Sequence, residues 1–193
     1  MKTVRFIFCA AAASLLLSCG SSKKAAEKNV ESKPVVTYTQ PGAHLLGEKN
    51  VLRAWAVGVS DSEMVAKKKA MTEASAQLSS MLRESVKTAV ENYCVALTDG
   101  DVSRSKQLLD ETVAIVSEEV LVGVVPIFDV WEPKNADGMY KNYIVVELSG
   151  KDFVKKLMKV VNEENRSKSS GVKIDENLLN DVFLNAINSK LSK

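Results

Sequence analysis

From Glu63 to Leu97 no Gly or Pro interrupts the chain, and Met71, Ala74, Leu78, Met81, Leu82, Val86, Ala89, Val90 and Tyr93 recur at spacings of three and four. That period predicts one amphipathic helix of about 50 Å. Lys67, Lys69, Glu73, Arg83, Glu84, Lys87 and Glu91 fall mostly on its other side. Whatever else the chain forms must be arranged around this rod.

The flanking segments supply strands and shorter helices. Val51 to Val59 alternates Val51, Arg53, Trp55, Val57 and Val59 with Leu52, Ala54, Ala56 and Gly58, a strand whose second face is small enough for a helix to lie close. Ser60-Asp61-Ser62-Glu63 reads as a capping box, with Ser60 and Glu63 as the reciprocal pair. Thr98 to Asp101 ends the long helix. Leu108, Leu109, Thr112, Val113, Val116 and Val120 predict a second helix over 103–117, although this apolar content also suits a strand. Val120 to Val125 and Ile127 to Trp131 are β-branched and strand-like, with Pro126 marking an edge or a bulge. Asn135-Ala136-Asp137-Gly138 predicts a hairpin turn into a strand from Tyr140 to Leu148.

Ser149 to Asp152 caps a further helix with the stripe Phe153, Val154, Leu157, Met158 and Val161. Glu163 to Gly171 is polar and reads as mobile. Asp175 to about Leu191 reads as a last helix with Leu178, Leu179, Val182, Phe183, Ala186, Ile187 and Leu191 on one face. That face must be covered by the chain's own sheet or by another protein, an envelope protein or a second copy. The expected class is α+β, a small antiparallel sheet wrapped on one long helix with additional C-terminal helices.

The N-terminus carries a different signal. Lys2 and Arg5 precede an apolar run from Phe6 to Leu17, too short to span a bilayer, and Leu16-Leu17-Ser18-Cys19 closes it. This segment resembles the lipobox of bacterial lipoproteins. The resemblance implies cleavage before Cys19, acylation of its thiol and new amine, and membrane attachment by two or three acyl chains, one alone being marginal. Gly20 after the cysteine implies, by similarity to known sorting behaviour, the outer membrane. Expected boundaries are a signal peptide over 1–18, a lipid-anchored flexible tether over 19–47 and a single domain over 48–193. A coil of such length averages ~30 Å end to end.

Composition narrows the function. The chain has 26 basic and 24 acidic residues, and loss of residues 1–18 would leave 24 of each. Balanced charge gives no electrostatic reason to expect nucleic acid. Cys94 would then be the only thiol in the folded part, read as a buried, inert one, so no internal disulfide can form. The one histidine, His44, falls in the tether, which rules out a histidine-based metal cage, a Ser/His/Asp triad or a Cys/His pair in the core. The nine glycines form no phosphate loop, and no cofactor is expected. Lys67-Lys68-Lys69 could bind phosphate or lipopolysaccharide, but a solvated face with Lys69 paired to Glu73 is the favoured reading. Asp129, Glu132 and Asp137 cluster around the hairpin and read as turn and edge charges; a carboxylate-dependent hydrolase acting on cell-wall glycan is the alternative. Trp55, Trp131, Tyr140 and Tyr143 suit a sugar or peptide groove, or, preferably, the core.

Ala56-Val57-Gly58 at the end of the first strand, the Ala66, Ala70, Ala74 ladder, and Trp131 followed by Tyr140-Lys141-Asn142-Tyr143 carry one further resemblance. Behind a lipobox, this order resembles the small outer-membrane lipoproteins typified by the antigenic twenty-kilodalton lipoprotein, to which the N-terminal domain of the flagellar protein FlgT is similar. It covers about Val51 to Val161. The resemblance implies a compact α+β domain in the outer membrane with no established enzymatic activity, hence a non-catalytic binding or assembly module facing the periplasm.

Overall fold

Alternation of small and large side chains along Val51 to Ser60 does what the sequence predicts: the small set seats a helix. The computed structural model describes residues 40–97, 101–168 and 171–191, all within one compact unit, Tyr38–Lys193. The lipobox with Cys19, the signal over 1–18 and the tether up to Thr39 lie outside the described residues. Among those described, the elements run β1 (Val51–Ser60), α1 (Glu63–Ala96), α2 (Val102–Val122), β2 (Pro126–Glu132), β3 (Tyr140–Ser149), α3 (Gly150–Lys168) and α4 (Glu176–Asn188). The fold is α+β, with a three-stranded antiparallel sheet in the order β1-β3-β2.

Leu52, Ala54 and Ala56 of β1 are buried, as are Ala66, Ala70 and Ala74 of α1. Two small-residue surfaces thus meet, and side-chain size sets how close a strand and a helix can come. β3 is central and its Tyr143, Ile144, Val145 and Val146 are buried on both faces. β2 begins at Pro126 and its register slips between Pro126 and Phe128, so the edge position and the bulge foreseen for Pro126 both occur. The Asn135 to Gly138 turn is closed by Gly138 N–H donating to the Asn135 carbonyl at 2.9 Å, with Gly138 at φ +78.

Several boundaries differ from expectation. The capping box does not form: β1 extends through Ser60, which is buried, so the helix starts after Ser62, whose N–H donates to Ser60 Oγ at 3.3 Å. The second segment is helical, not a strand, from Val102 to Val122. Its Asp101 carboxylate accepts from Arg104 N–H at 3.1 Å, and helical pairing carries Val120 to Val122 into α2. Glu163 to Lys168, read as mobile, continues α3, where Lys168 pairs with Glu164 one turn back and with Glu111 of α2.

The last helix is covered inside the chain, by α1 and α3 instead of the sheet. Phe183 stacks on Phe153 at 5.0 Å, Leu179 and Ile187 are buried, and the Asp175 N–H donates to the buried Tyr93 hydroxyl at 2.8 Å. Asn188 and Asn50 exchange two hydrogen bonds, of 2.9 and 3.0 Å, tying the end of α4 to the residue before β1.

Candidate functional site

A pleated strand sends alternate residues to opposite faces, and the register assigns the four singled-out aromatics accordingly. Trp55 and Tyr143 share the face turned away from α1, with rings 6.1 Å apart. Trp131 lies opposite Asn142, and Tyr140 opposite buried Ser60, so both take the α1 side. The aromatics are therefore split two and two and line no common groove. Tyr143 Oη donates to Glu132 at 2.7 Å, and Trp55 Nε1 donates to the Pro41 carbonyl at 2.7 Å.

That last bond moves the tether's boundary. Gly42, at φ +84, lies against Phe128 and Val145, His44 meets the Phe128 ring edge-on, and Arg53 donates to the Leu45 carbonyl. Residues 41–45 are thus packed onto the outer sheet face and belong to the folded unit, not to a free tether. Arg53 also bridges Glu147 and Glu48. Burial opposes its charge, but these two carboxylates outweigh that and raise its pKa.

The hairpin carboxylates separate in the same way. Asp129 points to the α1 side, where it accepts from Asn142 Nδ2 at 2.7 Å and pairs with Lys67. Burial alone would raise its pKa, yet these two donors hold it below the ordinary value. Asn142 is fully buried and its Oδ1 has no hydrogen-bond partner. Glu132 lies on the opposite face, where the Tyr143 hydroxyl, opposed by slight burial and helped by Lys141, lowers its pKa. Burial first, and Glu132 second, push Tyr143 up to about 12. Asp137 sits in the turn, its Oδ2 3.4 Å from Asn135 Nδ2. The three carboxylates foreseen as a cluster do not converge.

Cys94 is half-buried instead of fully buried, and burial raises its thiol pKa, which keeps it protonated at neutral pH. The three lysines also diverge. Lys67 reaches across to Asp129, whereas Lys69 donates to the Val59 carbonyl at 3.1 Å. Lys69 is not engaged with Glu73, which accepts from Gln77 instead. Lys68, Lys69, Thr72 and Glu73 line a groove of about 460 Å³ that Val57 of β1 and Val65 of α1 complete. This groove between an edge strand and a helix is the feature that sequence reasoning missed, and its only signal was the lysine run.

Among the described residues no group of three or more His, Cys, Asp or Glu is placed to hold a metal ion, and no helix is long and apolar enough to cross a membrane. Comparison with family models, curated proteins and solved structures finds no match to this chain.

Proposed function

We propose that the chain is a lipid-anchored envelope protein, held through acylated Cys19 in the outer membrane, whose folded unit is a non-catalytic binding or assembly module facing the periplasm. The observation that carries the module reading is the separation of Asp129 from Glu132 on opposite faces of β2, both engaged by donors and both held ionised. A glycan hydrolase needs two facing carboxylates ~5 to 9.5 Å apart, one of them with a raised pKa so that it can donate a proton. The hairpin acids have the opposite arrangement and the opposite shift. They serve the fold, with Asp129 joining the sheet to α1 and Glu132 joining β2 to β3.

The anchor is tested by mass spectrometry of membrane-extracted protein, with acyl mass expected on an N-terminal Cys19. Cys19→Ala should move the chain from the detergent phase to the aqueous phase. A product retaining residues 1–18 would overturn the anchor. The module reading is tested by incubating the protein with purified peptidoglycan. Release of soluble glycan that Asp129→Asn or Glu132→Gln abolishes would replace the module with the hydrolase.

A further inference from the structure

The two edges of the sheet are built differently. β2 is short, opens with Pro126, carries a bulge and bears Asp129 and Glu132. Each of these features discourages another strand from pairing. β1 has ten residues in unbroken register with β3, contains no Pro, and bears one charge, Arg53, which is already bridged to Glu147 and Glu48. No described strand pairs with its outer side. One edge is protected and, among the described residues, the other is left open.

The open edge faces the groove between β1 and α1. Lys69 Nζ bonds the Val59 carbonyl, which marks that carbonyl as turned toward the groove. Alternation within an antiparallel ladder then turns the N–H and C=O of Val57 and Trp55 the same way. Val57 and Val59 are 38% and 36% exposed, apolar residues on an otherwise well-filled strand. Lys68 and Lys69 stand along the opposite wall, and Val65 contributes an apolar patch beside them. A ligand here meets main-chain groups that no described strand pairs on one side and, on the other, two ammonium groups beside the Glu73 carboxylate, which Gln77 already engages.

We propose that β1 accepts an added strand from a partner protein, an extended segment whose acidic side chains meet Lys68 and Lys69 while its main chain pairs with Trp55, Val57 and Val59. Strand addition supplies affinity through the ladder and selectivity through alternate side chains. The two lysines favour acidic residues and steer the encounter. The Lys69 bond to Val59 is a temporary occupant of the edge: it satisfies a carbonyl that the incoming strand takes over, and the ammonium then turns to the acid. A second copy of this chain is a poorer occupant, because its β1 brings Arg53 and no acid to the lysines.

This proposal names the partner class for the module reading, and its test is independent of both anchor and glycan assays. The full chain in detergent is titrated with two fluorescent octapeptides of alternating Val and Thr, one ending in two glutamates and the other in two lysines. Anisotropy should rise saturably with the acidic peptide only. The double variant Lys68→Glu, Lys69→Glu, with unchanged circular dichroism, should weaken that peptide at least about tenfold and admit the basic one. Thr72→Trp, which fills the groove from an exposed position, should block both. Methylating alternate peptide nitrogens should abolish binding in one phase and spare it in the other, the mark of a one-sided ladder. The proposal fails if neither peptide binds, if the charge reversal leaves the preference unchanged, if amide shifts on binding map to β2, or if the lysines respond only to anionic vesicles. Concentration-dependent self-association lost in Thr72→Trp would replace the partner with a second copy and equally overturn it.

Discussion

Gly58 of β1 lies so close to Ala66 of α1 that a β-carbon on Gly58 would stand 1.9 Å from the Ala66 carbonyl oxygen and 2.6 Å from the Ala70 nitrogen. Both obstacles are helix backbone, so no side chain can swing away to make room. Gly58→Ala therefore has to pry strand from helix along the seam that seats the sheet. We expect a loss of about 3 kcal/mol or more, or failure to fold, because overpacking a close-packed core costs ~1–3 kcal/mol even where side chains can yield. Thermal denaturation against Gly47→Ala, whose added carbon meets nothing within 4 Å, gives the contrast.

Acid should loosen the same seam farther along. Asp129 has a folded-state pKa below its ordinary value, so its contribution is present above the unfolded-state pKa and is lost as pH falls through the folded one. Stability should thus decline as pH drops below ~4, the ordinary carboxylate range. Asp129→Asn should lower stability at neutral pH by about 1 kcal/mol and flatten that acid slope. Urea denaturation at several pH values reads both effects; an unaltered slope in the variant would remove Asp129 from the account.

At the alkaline end the sign reverses. Tyr143 is raised from 10.0 to about 12, so its contribution is full below pH 10 and disappears as pH rises through the folded value. Phenolate absorbance should show one tyrosine titrating late, and stability should fall across that window. Glu132→Gln removes the acceptor charge and should bring the titration down toward, but not to, the ordinary value, since burial is the larger cause.

Helix α4 belongs to the core, and its loss should be read as such. Deleting residues 175–193 uncovers Tyr93, Phe153 and the faces of α1 and α3 that α4 covers. A large drop in melting temperature at unchanged solution mass is expected. Phe183→Ala alone should cost about 3–5 kcal/mol, the usual range for a buried aromatic. Loss of a dimer with the monomer equally stable would assign the helix to assembly instead.

Periodicity made α1 and α4 legible, because a stripe at spacings of three and four has one reading over many turns. What α4 packs against was not legible, since an apolar stripe names no neighbour. Val120 to Val122 looked like strand because β-branched residues favour one, yet they continue a helix already nucleated from Val102. The polar run after Glu163 looked mobile because its support, Glu111 for Lys168, comes from another helix. Pro41 and Gly42 fall inside the expected tether, yet they form a turn that places one carbonyl under Trp55. The β1 groove depends on strand order, and no local pattern in Lys67 to Lys69 tells which lysine faces which edge.

The amide pair of Asn50 and Asn188 closes the folded unit into a ring, with its first strand and last helix fastened at one point. The first strand starts and the last helix ends at the same pole, so tension applied between those two points would pass through this amide pair before it reached the core. A permuted chain, opened in the surface turn at Asp137 and Gly138 and joined by a short Gly/Ser linker across that pole, would keep every layer in place. It would also turn the open edge of β1 relative to whatever holds the protein, making the direction of approach to that edge an adjustable property of the architecture.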